Sequence, residues 1–308
     1  MRRNDLYLGI VLILALAAIR LFDPLPVRET RATYFDYLQR ISPREYTPLP
    51  VRIVDIDESS LAKLGQWPWP RDVLADLVYR LNELGAASIG FDVLFAEPDR
   101  LSPTRLSERF EATKLLTSGL SESELASLDT DRKFAEAIAS APVVLSTALV
   151  ANTGQKLVQP KSGLIQVGNE PTLGLPYLNA ATPILPILNE VASGIGNISV
   201  SPTGDGSGRV RTMPTFWQIE GGAFPSLALE VLRVGMQSST FTLWGSDEQA
   251  GILNGISIGQ FSIPTEPDGQ MWVRFRHEEP SVYLPAADLL TSGLDEDFLR
   301  SQIEGHLI

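Results

Sequence analysis

The chain has 308 residues, enough for one large domain or two small ones, and 44% are hydrophobic, so a substantial core can form without metals or disulfides. It contains no cysteine, which excludes disulfides, zinc–thiolate sites and cysteine nucleophiles, and only His277 and His306, which argues against a histidine-rich metal site or a serine triad. A net charge of −12 with no dense basic cluster argues against nucleic acid as a partner.

At the N-terminus, Arg2 and Arg3 precede an apolar run from Leu6 to Ile19, with Leu21 and Phe22 beyond Arg20. Leu6 to Phe22 gives about 25 Å of helix, near the short end for crossing a bilayer. Arg20 lies one turn from the end and can snorkel to the interface. The paired arginines favour a cytoplasmic N-terminus, which places everything after Asp23 outside. A cleaved signal peptide is the rival, because Ala15-Leu16-Ala17 is an A-x-A-like site. Both readings export the rest of the chain. The expectation is a transmembrane anchor over residues 1–22, the lipid bilayer as a partner, and a domain on the extracytoplasmic side of the plasma membrane.

Residues 23–50 read as a juxtamembrane helix and linker. Two prolines break Asp23 to Val27, and Tyr34, Phe35, Tyr37, Leu38 and Ile41 make Glu29 to Ile41 an amphipathic helix. Its aromatic side is expected on the domain in preference to a partner chain. Ser42 to Pro50, with three prolines, leads into residues 51–308, the expected extracytoplasmic domain.

Val51 to Arg100 is the most informative stretch. Val51, Ile53, Val54 and Ile56 form an apolar run too short for a helix, which suits a buried strand ending in Asp55 and Asp57. Trp67-Pro68-Trp69-Pro70 cannot be helical, since each proline disfavours the α conformation before it. Pro70 suits a helix start. Val73, Leu74, Leu77, Val78, Leu81 and Leu84 then recur at helical spacing up to Gly85. A second strand, Ala87 to Phe95, carries Asp92. Parallel pairing of the two strands through a right-handed crossover is the default, and it would bring Asp57 and Asp92 to one sheet end, where ligands usually bind.

Beyond this, Leu101 to Ser127 reads as a surface helix and loop through Leu106, Phe110, Leu115 and Leu116. Asp129 can cap a helix from Asp131 to Ser140. Pro142 to Val150 is a buried strand, so the first half reads β-α-β-α-β. Ile184 to Ala192 suits a short helix and Gly196 to Ser201 a strand. Thr203 to Gly208 reads as a turn in which Asp205 is explained without a metal. Arg209 to Glu220 resumes as a strand, and Ala223 to Ser226 opens a helix over Leu227 to Val234. Short strands follow at Phe241–Trp244, Ile252–Ile258, Phe261–Ile263 and Met271–Phe275, then Tyr283 to Leu290 and Asp295 to Ile303. Gly305 to Ile308 begins an apolar run and stops, so the domain is expected to be a truncated piece of a longer protein. The fold class expected is α/β with a mixed α+β periphery: a layered sheet with a β-α-β core, preceded by one N-terminal transmembrane helix.

Several segments together are similar to a known family. They are Val54-Asp55-Ile56-Asp57 with Ser60-Leu61, Gly65, Trp67-Pro68-Trp69-Pro70-Arg71, Gly85-Ala86-Ala87 and Phe91-Asp92-Val93-Leu94-Phe95. Gly196-Asn197, Asp205-Gly206 with Val210-Arg211, Pro225-Ser226-Leu227-Ala228 and Pro285 to Leu290 follow in the right order. Arg28 to Ile308 resembles the cyclase/histidine-kinase-associated sensory extracellular domain of the second type. One departure is the turn, which Ser207-Gly208 lengthens relative to the family's compact Asp-x-Asp-Gly-x-x-Arg. The resemblance implies an exported sensor that continues into transmembrane helices and a cytoplasmic output module. A class III adenylate or guanylate cyclase is the first expectation, with diguanylate cyclases and kinases as other outputs of the family. A homodimer would follow if the output were such a cyclase.

The candidate ligand-binding residues are Asp55, Asp57, Glu58, Trp67, Trp69, Arg71 and Asp92. Three or four of these oxygens could hold Ca²⁺ or Mg²⁺, and the alternative function is a secreted or anchored hydrolase using such a metal to activate water. Against it, no general base stands nearby. Asp57 can instead cap a short helix from Glu58 to Leu64, and Arg71 can neutralise Asp57 or Asp92. Trp67 and Trp69 could stack on a sugar or aromatic ligand, but rigid packing anchors explain them as well. The favoured reading has an Asp57/Arg71/Asp92 cluster locking the crossover, no cofactor, no catalytic residue and an unknown extracytoplasmic ligand.

Overall fold

A computed structural model describes residues 3–103, 105–106, 119–121, 124, 127–148, 158–200, 208–291 and 293–308. In chain order the elements used below are α1 (Arg3–Phe22), α2 (Leu25–Ile41), β1 (Ile53–Asp55), α3 (Glu58–Leu64), α4 (Arg71–Glu83), β2 (Ile89–Gly90), α5 (Thr130–Ala139), β3 (Val143–Thr147), β4 (Gly163–Val167), α6 (Pro186–Val191) and β5 (Gly194–Asn197). After these come β6 (Thr212–Pro214), β7 (Phe216–Ile219), β8 (Gly222–Pro225), α7 (Leu227–Gly235), β9 (Thr240–Gly245), β10 (Leu253–Ile258), β11 (Phe261–Pro264), β12 (Gln270–Trp272), β13 (Tyr283–Pro285), α8 (Ala286–Leu290) and α9 (Glu296–Ile303). The chain is a mixed α/β protein. It divides into two compact units, one of residues 1–47, 200–213 and 272–278, the other of the rest.

In the larger unit the strands do not pair as the sequence suggested. β1 runs parallel to β13, with Ile53 opposite Tyr283 and Asp55 opposite Pro285. β2 runs parallel to β3, and β3 to β5. The gap between β1 and β2 is filled by the last residues of the chain. Leu307 bridges Val51 on one side and Ser88 on the other, both in parallel. The Arg52 N–H donates to the Leu307 carbonyl at 2.9 Å, and the Gly90 N–H to the Ile308 carbonyl at 2.7 Å. The expected β-α-β unit is thus split by the bridging segment at Leu307. A short apolar run specifies a strand, not which strand lies beside it, and β1, expected to be buried, leaves Val51 and Ile53 exposed because it does not sit in the middle of the expected sheet. The expected Ala87–Phe95 strand shortens to Ile89–Gly90, which leaves Asp92 in exposed non-strand backbone.

The helices follow their apolar spacing. α4 buries Leu74, Ala75, Leu77, Val78 and Leu81, ends before Gly85 at φ +85°, and packs on α5. Asp129 caps α5 by accepting from the Asp131 and Arg132 N–H groups, and Phe134 and Ile138 are buried. Phe91, Phe95 and Phe134 meet edge to face with centroids 5.2–5.6 Å apart, each such pair contributing about 1 kcal/mol beyond area burial. α7 lies on β2, β3 and β5, and the approach is close. A Cβ on Gly196 would sit 2.3 Å from the Leu227 backbone. α7 also buries an ion pair, Glu230 with Arg233 at 2.7 Å, and Arg233 donates to the Ser238 and Ser193 carbonyls.

A second core, with Phe216, Phe241, Leu243, Leu253 and Ile256, underlies the sheet ordered β11-β10-β9-β4. β4 is parallel to β9, and the other two pairings are antiparallel. Arg209–Glu220, expected as one strand, is two, β6 and β7. Of Ala223–Ser226, expected to open a helix, Ala223–Pro225 instead belongs to β8, which pairs with β7, and α7 begins after Ser226. β12 stops short of the expected Phe275. Tyr283–Leu290 is a strand followed by a short helix, and Asp295 caps α9 through the Phe298 N–H. Asp205 and its turn lie outside the described residues, as do Phe110, Leu115 and Leu116.

In the smaller unit α1 forms where the transmembrane anchor was expected. Among the described residues, however, no helix is long and apolar enough to cross a membrane. Arg3, Asp5 and Arg20 lie inside α1 and confine its uninterrupted apolar run, Leu6 to Ile19, to about 21 Å, against about 30 Å for a hydrocarbon core. Its large apolar side chains are exposed, including Leu8, Val11, Leu12, Ile13, Leu14, Leu16, Leu21 and Phe22. After Asp23, α2 starts four residues earlier than expected, because Pro24 and Pro26 fit a helix start. Of the aromatic side expected on the domain, only Phe35 packs on other segments of this unit, together with Ala32, Asp36 and Gln39, whereas Tyr34, Tyr37, Leu38 and Ile41 are exposed, because the helix turns them away. The Phe35 ring lies 4.8 Å from Trp272, and Gln39 accepts from the Phe275 N–H. Arg211 donates to both oxygens of Asp36 at 2.7 and 2.9 Å, and Arg209 adds a third bond. Arg211 foremost, with Arg209, lowers the Asp36 carboxyl to about 2.

Candidate functional site

The Trp67-Pro68-Trp69-Pro70-Arg71 segment forms one wall of a cleft of about 390 Å³ in the larger unit. Leu94 and the loop Ala96 to Leu101 form the facing wall. The prolines hold the two tryptophans in different settings. Trp69 is 2% exposed and its indole N–H donates to the Gly65 carbonyl at 2.8 Å. Trp67 stands at the mouth, 36% exposed, with its ring 5.7 Å from Trp69 and edge-on to it.

Arg71 starts α4 and is the cleft's inner cation. Its guanidinium lies 4.4 Å from the centre of the Phe95 ring. The Arg71 backbone N–H donates to Asp99 Oδ2 at 2.8 Å, so the Asp99 carboxylate closes the N-terminus of α4 from a distant loop. The Thr130 hydroxyl donates to the same oxygen at 2.7 Å, and the Leu101 N–H donates to Oδ1. The Asp99 N–H in turn donates to Asp131 Oδ2 at 2.9 Å. The loop wall is therefore pinned by one side chain between the first turns of two helices. Arg71 Nε faces Asp131 Oδ1 at 3.6 Å, close enough for charge attraction but without a hydrogen bond, and neither atom has a hydrogen-bond partner among the described residues. Burial leads the electrostatics at both ends. It pushes the Asp131 carboxyl up and the Arg71 guanidinium down, and each charge only partly offsets the penalty on the other.

Of the residues expected at a site, Trp67, Trp69 and Arg71 line this cleft; the four carboxylates do not. Asp57 caps α3, accepting from the Ser60 N–H at 2.8 Å and the Ser59 hydroxyl. Hydrogen bonding from Ser60, then Ser59, lowers its pKa. Glu58 sits exposed in the first turn of α3, and Asp55 and Asp92 are exposed at the ends of strands that are not neighbours. The expected Asp57/Arg71/Asp92 lock is therefore replaced by Arg71 with Asp99 and Asp131. Asp55, Asp57 and Asp92 do not converge, and among the described residues no three histidine, aspartate or glutamate side chains are placed to hold a metal.

Asp99, Thr130 and Asp131 escaped the sequence reading because their contacts span some 30 residues of chain. The available signal was the pair of Asp-containing turns, Glu97-Pro98-Asp99-Arg100 and Asp129-Thr130-Asp131, each adjoining a buried segment. A second, larger cleft of about 550 Å³ lies among α4, α8 and α9. Its rim holds Asp76, Arg80, Glu83 and Asp288, and its floor includes Val73, Leu289 and Leu299. Two rim charges are already engaged, Asp288 with Lys63 at 3.0 Å and Arg80 with Glu296.

No match was found among curated proteins or among solved structures. The sequence model of the CHASE2 domain matches residues 10–307, nearly the whole chain, with the cleft, the split β1–β2 pair and the Asp36–Arg211 contact all inside the matched span. The chain belongs to the CHASE2 domain family, a family of extracellular sensory domains.

Proposed function

We propose that this chain is the extracytoplasmic sensory part of a membrane-attached signalling receptor, and that it relays an external cue to a cytoplasmic output module, foremost a class III nucleotide cyclase. The observation that carries the reading is α1, whose apolar side chains are exposed along its length. A helix apolar all round requires an apolar surrounding, and a bilayer supplies one. α1 joins α2 directly, and α2 is tied through Asp36 to Arg209 and Arg211, so displacement of the sensor's own segments is transmitted to the attached helix. The ligand enters the Trp67–Arg71 cleft. There a half-exposed indole, a buried guanidinium and a loop held by one carboxylate offer apolar contact, charge and a movable wall. Such a relay requires a ligand that binds two arrangements of that wall with different affinity.

Separation of cell membranes from soluble protein, with membrane-impermeant labelling of lysines in intact cells, tests attachment and side together. The full chain is expected in the membrane pellet and labelled without lysis. Recovery in the soluble fraction, or labelling only after lysis, overturns the reading. The output module is tested by the coding sequence beyond Ile308: further apolar spans and an output domain are expected, and a stop codon there overturns the relay.

A further inference from the structure

We infer that the outward face of α2 is a dimerisation surface for a second copy of this chain, paired in parallel. Val27, Thr30, Tyr34, Tyr37 and Ile41 are spaced 3, 4, 3 and 4 residues apart, the a/d pattern of a two-helix seam, with Leu38 beside it. Tyr34 is 61% exposed, Tyr37 56% and Ile41 59%. The opposite side of the same helix is fully used by Ala32, Phe35, Asp36 and Gln39, so the helix is firmly mounted and presents the stripe outward. Three large apolar side chains in one line are left uncovered by the described residues of this chain.

Charge selects the occupant. The stripe carries no charge, and Arg31 and Arg40 stand on its two borders. In a parallel pair, border positions five residues apart meet across the seam. Arg31 then faces Pro26 of the second copy, and the position that would oppose Arg40 lies beyond the end of α2 at Ile41, so no like charges oppose within the seam. Attachment through α1 holds two copies at the same height and in the same direction, which brings the stripes into register. This step rests on the membrane reading above; the face itself does not.

Absence of native cysteine makes the test direct. The full chain carrying Tyr34→Cys, Tyr37→Cys or Ile41→Cys, one at a time, is oxidised in cell membranes and scored for disulfide-linked dimer. Arg28→Cys and Glu29→Cys serve as exposed positions off the stripe and its borders. Cross-linking several-fold above the off-stripe positions is expected at all three stripe positions. Uniform cross-linking, or none, overturns the proposal. So does a stripe cysteine shielded from a water-soluble maleimide without cross-linking, which would mean that lipid or another protein covers the face. Sedimentation of the same samples separates the two readings. If the chain proves soluble, attachment fails, and the same cross-linking pattern in concentrated solution still decides the face.

Discussion

Two arginine–aspartate clusters, one in each unit, show how differently the same chemistry behaves. Around Asp36, two arginines donate three hydrogen bonds at 2.5–2.9 Å, and the carboxylate keeps an open side. Charge-assisted bonds in fork geometry outweigh the modest burial, so the charged form is favoured. Around Asp131, burial is deeper and the arginine stands 3.6 Å away without a hydrogen bond. There burial wins, and both charges are disfavoured. The first cluster is a clamp. The second is a charged group held in a poor setting beside a cleft, which is where a bound ligand or a proton has most to gain.

Arg71→Leu breaks the contrast hardest. It leaves Asp131 buried with its counter-charge gone and removes the cation from the Phe95 ring. A stability loss of about 3 kcal/mol is expected in the detergent-solubilised full chain, read from the denaturant midpoint. Adding Asp131→Asn should recover part of it, because the orphaned charge is then gone while its amide oxygen still accepts from the Asp99 N–H. A double variant as unstable as the single one would show that the arginine matters for packing alone.

Asp36→Asn tests the clamp. Solvent on its open side screens the pairs, so the expected cost is about 1–2 kcal/mol, felt locally as faster tryptic cleavage at Arg40 and Arg44. The two clusters should also respond to pH with opposite sign. The Asp36 carboxyl is lowered from 3.8 to about 2 in the fold, so its contribution is present above about pH 4 and lost as pH falls towards 2. Asp131 is raised by burial, so the fold holds its proton more tightly and is penalised as pH rises through that raised value. Protection of the Tyr34–Leu38 segment against pepsin, which cuts beside aromatic and leucine residues, should therefore fall between pH 4 and 2 in the native chain and stay flat in Asp36→Asn. A native profile as flat as the variant's would remove the clamp.

How much of this was legible followed the range of the interactions. α2, α4 and α5, the Asp57 and Asp129 caps and the buried β3 depend on neighbours a few residues apart, and the sequence displays such spacing directly. Strand adjacency does not work that way. The entry of Leu307 between Val51 and Ser88 joins residues more than 200 positions apart, and a local apolar pattern carries no record of it. The site shows the same division. Trp67, Trp69 and Arg71 stand in one short segment and line one cleft. The carboxylates beside Arg71 are Asp99 and Asp131, whereas the sequence reading paired it with Asp57 and Asp92, nearer in the chain.

Those nearer carboxylates complete the series from buried to exposed, and the smallest effect belongs to them. Among the described residues Asp57 has no arginine as a hydrogen-bond partner; it is lowered by Ser60 and Ser59 hydrogen bonds at the start of α3, in contact with water. Asp57→Ala removes a cap and should lower Tm by about 2 °C, whereas Asp57→Ser, which caps equally well, should restore it. Asp55→Ala and Asp92→Ala, both at exposed positions, should leave Tm unchanged, and calorimetry with Ca²⁺ should give no heat that depends on any of the three. Calcium-dependent heat lost on both Asp57→Ala and Asp92→Ala would mean that the two strand ends come together in a second arrangement. The split of β1 from β2 by the bridging segment at Leu307 would then be the element that moves.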